Sequence, residues 1–145
     1  MKRLILLAII GAVGVLAASS LASQQTTTTF KATLNGAQVV PHPKGTMTAA
    51  AGTFTATLTG TTLKWKLTYT HLTGPVGAAH IHLGARGKNG IALVALCGPC
   101  KSPISGTANS VTDDVGALMA KAGAYVNVHT AKNPDGEIRG EITGH

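Results

Sequence analysis

The chain is poor in aromatic residues, in acidic residues and in charge overall. Aromatic side chains make up 3% of its 145 residues and charged side chains 12%, and only five residues are acidic against twelve lysines and arginines. A surface that binds nucleic acid needs clustered basic residues beside rings on which bases stack. No such cluster occurs after Arg3, and Arg86 and Arg139 are the only later arginines. The composition therefore excludes nucleic acid as the expected partner.

Long apolar runs are missing everywhere except at the start of the chain. A positive start, the apolar run from Leu4 to Ala18 and the small residues of "SSLAS" are the three parts of a secretory signal peptide. We predict a signal peptide over residues 1–22, cleaved after Ala22. An uncleaved anchor is the alternative, because the run approaches the roughly 18 residues of a membrane span. We therefore expect a secreted, periplasmic or envelope protein with no transmembrane segment after cleavage, whose basic surface suits anionic envelope or matrix material.

Cysteine is also scarce, and the only two, Cys97 and Cys100, form the tetrapeptide "CGPC". Many thioredoxin-like oxidoreductases carry this tetrapeptide, where a following helix lowers the thiol pKa. Here Pro103 and Gly106 stand where that helix would run. In an exported chain this pair is expected to be a disulfide. Metal ligation and redox catalysis are the alternatives.

The rest of the chain alternates apolar and polar residues with a period of two, which is typical of half-buried strands. Residues 23–28 form a polar tether, and residues 29–145 form one domain. Eight strands are predicted: 30–34, 54–58, 63–69, 78–83, 91–96, 104–110, 125–130 and 137–143. One short helix is predicted at about 112–122, with Thr112 as its N-cap. The predicted fold is an all-β, antiparallel, Greek-key-like β-sandwich.

Two stretches carry residues that can ligate a metal ion. In "GAAHIHLG", His80 and His82 lie two residues apart on a strand, so both imidazoles leave the same face. In "GAYVNVHT", Val126 and Val128 take the apolar face and leave His129 on the polar one. If the two strands are neighbours, the three histidines face one spot. Surface histidines without a ligand are the alternative.

The short connection "AKNPDG" predicts that the His129 strand and the strand that follows it form a hairpin. Asn127, Glu137 and Arg139 then share the polar face with His129 and are expected to surround the metal ligands. Arg139 could attract an anion to the ion, or it could only pair with Glu137 or Glu141.

Four stretches resemble, in order, the landmarks of the CHRD domain, which is repeated in chordin and occurs singly in many microbial exported proteins. They are "FKATLNGAQVVP", "AGTFTATL", "GAAHIHLGARGKNG" and "YVNVHTAKNPDGEIRGEI", and together they cover about residues 29–143. The resemblance implies an all-β sandwich. Its His-x-His followed by a later histidine is similar to the copper-ligand arrangement of copper-zinc superoxide dismutases.

The chain departs from both patterns. Val39 stands where CHRD domains usually carry a glutamate, and no group of ligands for a second metal can be found. The resemblance therefore implies one copper ion, with zinc as the alternative, at His80, His82 and His129.

Three functions remain open. The first is binding or handling of the metal ion, and the second is a non-catalytic extracellular interaction module whose contacts come from the loops "LGARGKNG" and "HTAKNPDG". The third is a copper-only, superoxide dismutase-like enzyme. No residue requires turnover, so we expect a binding protein and assign no catalytic residue.

Overall fold

The computed structural model describes residues 25–145, and the predicted signal peptide and the first residues of the tether lie outside this range. The described residues form nine strands, one 3-10 turn at Gly36–Gln38 and one α-helix. The strands are β1 Thr27–Asn35, β2 Ala51–Thr59, β3 Thr62–Thr70, β4 Val76–Leu83, β5 Ala92–Cys97, β6 Ile104–Ala108, β7 Ala124–Thr130, β8 Ile138–Glu141 and β9 Thr143–Gly144; the helix is α1 Asp113–Ala120.

The strands follow the order β5-β4-β7-β8-β1-β2-β3-β6, with β9 paired to β1, and all pairings are antiparallel. Between β8 and β1 the ladder is reduced to one pair, Asn35 with Arg139. The chain therefore forms two sheets that face each other and are joined at that pair: β5-β4-β7-β8, and β1-β2-β3-β6 with the short β9 added beside β1. β6 lies beside β3, and β7 lies beside β4, so the connections are those of a Greek key. The predicted all-β sandwich with one short helix is confirmed.

The inner faces of the two sheets enclose one hydrophobic core. Leu34, Phe54 and Leu67 contribute from one sheet, and Ile81 and Val126 from the other, and all five are fully buried. They occupy the apolar phase of the period-two pattern, so every residue in the opposite phase points outward. The alternation thereby determines which side chains are available for a site on each outer face.

The ends of the elements differ from the sequence prediction by a few residues. β1 begins inside the stretch predicted as a tether, because Thr27 pairs with Thr59 of β2 and the two hydroxyl oxygens lie 3.1 Å apart. The last predicted strand is divided at Ile142, where the chain leaves β7 and joins β1. The side chain of Thr112 makes no capping hydrogen bond, although Thr112 is the N-cap residue of α1.

Within residues 25–145, no helix combines the length and the apolar character that crossing a bilayer requires.

Candidate metal centre

The pairing of β4 with β7 brings the three histidines to one outer face. Ala78 lies opposite His129, and His80 lies opposite Asn127, while Ile81 between the histidines of β4 points into the core. The imidazoles of His80 and His82 therefore leave the sheet beside that of His129. These three residues form what we call the histidine site.

The three rings form a nearly equilateral triangle. The distances between ring centroids are 5.1 Å for His80 and His129, 5.5 Å for His80 and His82, and 5.6 Å for His82 and His129. One nitrogen of each ring lies within 4.8 Å of the other two. Metal–nitrogen bonds of about 2.0 Å place tetrahedral ligands about 3.3 Å apart. The nitrogens therefore need to approach one another by no more than about 1.5 Å to hold one ion.

Two backbone carbonyl groups hold the rings in orientation. Nδ1 of His82 lies 3.1 Å from the carbonyl oxygen of Gly90, and Nδ1 of His129 lies 2.9 Å from that of Pro134. A carbonyl only accepts, so each Nδ1 carries the proton and each Nε2 keeps a free lone pair. This is the usual arrangement around metal-binding histidines, in which one nitrogen is anchored and the other binds the ion.

One ligand atom lacks any partner among residues 25–145. Nε2 of His82 is buried and makes no hydrogen bond. Nδ1 of His80 and Nε2 of His129, in contrast, lie 3.3 Å from each other. A buried nitrogen without a partner costs free energy unless a ligand satisfies it. The donor set therefore fits an ion bound between the rings.

The local electrostatics keep two of the rings neutral. Burial lowers the pKa of His80, and the neighbouring His82 lowers it further. Burial also lowers the pKa of His129 and outweighs the opposing effect of the Pro134 carbonyl, while His80 and His82 lower the pKa further and Asp135 raises it slightly. Imidazole binds metal only in its neutral form. These two ligands are therefore ready to bind at neutral pH.

Tyr125 is a member of this face that the sequence analysis did not select. Its ring stacks on His82 with 5.1 Å between centroids and 11° between planes. The guanidinium carbon of Arg139 lies 3.4 Å from the centroid of the same ring. In "AYVNVHT" the residues Tyr125, Asn127 and His129 alternate with buried valines, so the sequence pattern indicates that Tyr125 lies on the same face as His129.

Arg139 is fully buried and forms an ion pair with Glu141 rather than with Glu137. Its Nη2 lies 2.9 Å from Oε1 of Glu141, and its Nε donates to the same oxygen at 3.0 Å. The loop between β4 and β5 covers the guanidinium, with Ala85 and Asn89 accepting its remaining hydrogen bonds. The charge of Arg139 is thus neutralised locally and has no path to solvent.

Glu137 is held away from the histidine site. Its carboxylate accepts hydrogen bonds from the backbone nitrogen of Thr73 at 2.6 Å and from the hydroxyls of Thr73 and Thr130 at 2.7 and 2.6 Å. Burial by itself would raise the pKa of Glu137, but these hydrogen bonds outweigh it and lower the pKa. Glu137 therefore fixes the loop before β4 to the β7–β8 hairpin.

Asn127 lies in the row between His80 and Arg139. Its amide nitrogen donates to the carbonyl of Asp135 at 2.9 Å, and its Oδ1 is buried without a partner. Gly136 packs so closely on this amide that no side chain fits there, and its φ of +128° also favours glycine. Asn127 thus shapes the hairpin turn whose Pro134 carbonyl anchors His129.

The cysteine pair lies on the other side of β4 from the histidines. Cys97 is paired in register with Ala79, and both cysteines pack against the core. Their sulfurs lie at disulfide distance, with 6.1 Å between the Cα atoms. No helix follows directly, since α1 begins only at Asp113. The disulfide is supported, and this pair does not contribute a ligand to the histidine site.

The other histidines of residues 25–145 are dispersed. His42, His71 and His145 are exposed, and the histidine site is the only group of three potential ligands in the described part of the chain.

Comparison with known proteins gives one match. The family model of the CHRD domain matches residues 30–142. No curated protein and no solved structure matches the chain significantly.

Proposed function

The chain belongs to the CHRD-domain family, and from this premise we propose that it is an extracytoplasmic protein that binds one copper ion through His80, His82 and His129. The ion would be held on the outer face of β4 and β7, with a coordination position left open. Binding or handling of the metal is the proposed activity.

The observation that carries this proposal is the oriented and unsatisfied donor set. Carbonyls of two loops anchor Nδ1 of His82 and His129, and Nε2 of His82 is buried without a partner. Histidines that meet by chance on a surface have no reason to be anchored in this way. The low pKa of His80 and His129 adds to the argument, because neutral rings need not lose protons to bind.

The choice of copper over zinc rests on ligand chemistry. Three imidazoles suit both ions. For a given nitrogen site the affinity of Cu²⁺ exceeds that of Zn²⁺. Copper is therefore the proposed ion, and zinc is the competing outcome of the test below.

Binding is favoured over turnover by the state of Arg139. An enzyme that acts on an anion such as superoxide gains from an accessible positive charge near the metal. Arg139 is fully buried and paired with Glu141, so it does not offer that charge. Bound copper would still bring redox chemistry, and a superoxide assay on the loaded protein tests for it.

Export is part of the same proposal. The cysteine pair at disulfide distance supports an oxidising compartment. The predicted signal peptide over residues 1–22 would direct the chain there.

Isothermal titration of the purified protein with Cu²⁺ and Zn²⁺ tests the proposal. We expect one Cu²⁺ per chain, bound more tightly than Zn²⁺, and an affinity lowered by at least about 100-fold in the His80→Ala/His82→Ala variant, because single outer partners alone are worth about 10- to 100-fold. The matched control is His71→Asn/His145→Ala, which removes two exposed histidines; asparagine tolerates the positive φ of His71. Equal, weak binding by all three proteins would reject the site.

A further inference from the structure

The outer face of the other sheet carries a cationic surface that the histidine site does not use. Lys31 of β1, Thr55 of β2 and Lys66 of β3 are directly opposite one another across the strands. Thr29, Thr57 and Lys64 form the next row. We call these six residues the lysine face. Together with Phe30, Ala56, Trp65 and His145 they line a shallow depression of about 410 Å³.

The three lysines are close together in the sheet and exposed to solvent. Neighbouring strands lie about 4.8 Å apart, so the Cα atoms of Lys31 and Lys66, two strands apart, are separated by roughly 10 Å. The Cα atoms of Lys64 and Lys66 are roughly 7 Å apart along β3. All three are exposed, and none of them pairs with an acid. Threonine hydroxyls occupy the positions between them and offer both donors and acceptors.

No acidic side chain neutralises this surface. The five acidic residues lie in α1, in the β7–β8 hairpin and on β8: Asp113, Asp114, Asp135, Glu137 and Glu141. Glu137 and Glu141 are buried. None of these five side-chain carboxylates lines the depression, so no acidic side chain pairs with the three lysines.

We propose that the lysine face binds an acidic polysaccharide that lies flat across the strands, with carboxylates at the lysines and sugar hydroxyls at the threonines. This proposal does not depend on the metal site, which lies on the opposite outer face. Lysine is a mobile point charge that suits well-spaced single anionic groups, such as the carboxylates of an acidic sugar chain, whereas the planar fork of arginine binds one carboxylate or phosphate bidentately. The face contains no arginine.

The same surface is poorly suited to the other common polyanions. Single-stranded nucleic acid needs aromatic side chains on which its bases stack. Phe30 and Trp65, which lie at the floor of the depression, point into the core and are 2% and 6% exposed. Binding to a membrane surface gains from apolar side chains that enter the interface. The six residues of the face include none, and the apolar residues at the floor of the depression, Phe30, Ala56 and Trp65, are buried and cannot enter a membrane.

Binding of polygalacturonate to the whole protein tests this inference, at low salt and with EDTA present so that no metal bridges the two polymers. The face variant is Lys31→Gln/Lys64→Gln/Lys66→Gln. The matched control is Lys88→Gln/Lys101→Gln/Lys121→Gln, which removes the same charge at exposed positions elsewhere. We expect the face variant to bind about tenfold more weakly, from the sum of three exposed contacts, and the control to bind within about twofold of wild type.

A second variant tests the centre of the surface. Thr55→Glu places a negative charge between Lys31 and Lys66 and should abolish binding without removing a lysine. Equal losses in the face variant and its control would attribute binding to net charge and overturn the proposal. So would equal binding to neutral dextran, tighter binding to single-stranded DNA or to anionic vesicles, or no binding of the wild type.

Discussion

The two outer faces of the sandwich have the same alternating sequence pattern but differ in how far their outward side chains are exposed to solvent. On the lysine face the outward residues are threonine and lysine, and water reaches all of them. On the opposite outer face, which carries the histidine site, the outward residues include Tyr125, Asn127 and Arg139, which are 2%, 5% and 0% exposed. Both sets occupy the polar phase of their strands.

The difference comes from the loops and not from the strands. The β4–β5 loop folds back over Arg139, and Asn89 in it donates to the carbonyl of Val40 in the long loop before β2. The β7–β8 hairpin turn closes over Asn127. Within the described residues, no such loop covers the lysine face. The alternating pattern therefore shows which side chains point away from the core. Whether such a side chain is exposed to solvent depends on the loops that cover the sheet.

The largest expected effect that separates the two faces is on stability. Arg139→Ala leaves Glu141 buried without its partner, which costs about 3–5 kcal/mol. Lys66→Ala on the lysine face removes an exposed, unpaired charge and should stay within about 0.5 kcal/mol of wild type. Urea unfolding of both variants without metal measures the contrast. Similar losses in the two variants would contradict the distinction between the faces.

The second effect is on how stability depends on pH, and it comes from Glu137, which is buried at the β7–β8 hairpin. Its pKa lies below the ordinary value of 4.5, so the folded protein binds this proton more weakly than the unfolded chain does. The carboxylate thus stabilises the fold above pH 4.5, and the stabilisation is lost as the pH falls through the lower, folded-state pKa.

Glu137→Gln should therefore lower the free energy of unfolding at pH 7 by about 1.5–3 kcal/mol, the value of hydrogen bonds to a charged group. It should also flatten the stability profile below pH 4.5. Asp114→Asn, at an exposed position in the first turn of α1, is the control and should cost less than about 1 kcal/mol. Parallel pH profiles for wild type and Glu137→Gln would show that Glu137 does not contribute in this way.

The smallest of these effects is on copper affinity, and it comes from the ring of Tyr125, which lies between Arg139 and His82. Tyr125→Leu removes the stack on His82 and should lower copper affinity by about tenfold, the low end for groups that support a ligand. Tyr125→Phe keeps the ring and should bind within about twofold of wild type. Lys31→Gln/Lys66→Gln on the opposite face should not change the affinity. Equal affinity in the leucine and phenylalanine variants would show that the stack is not needed.

The sequence predicts the strands well because alternation is a local property. His80 and His82 share a face for the same local reason. Their approach to His129 is not local, since it depends on the β4–β7 pairing across 49 positions, which no local pattern determines. The grouping of the three histidines is instead implied by the resemblance to CHRD domains and to the copper ligands of copper-zinc superoxide dismutases.

The polar partners were the least predictable part. Arg139 pairs with Glu141, two residues along the same strand, while Glu137 turns to Thr73 and Thr130. The sequence presents Glu137 and Glu141 at equal distance from Arg139. The choice between them depends on which loop covers each end of β8, and loop paths carry no periodic signal.

The short loop from Gly84 to Ile91 joins the strands of a hairpin, which is ordinarily where a chain accepts extra residues. Here Ala85 and Asn89 accept hydrogen bonds from Arg139, and the carbonyl of Gly90 orients the ring of His82. Each contact fixes the position of the loop, so one inserted residue would displace a buried ion pair and a metal ligand together. An engineer who wished to add a peptide tag would do better at Asn109 and Ser110, which are exposed between β6 and α1.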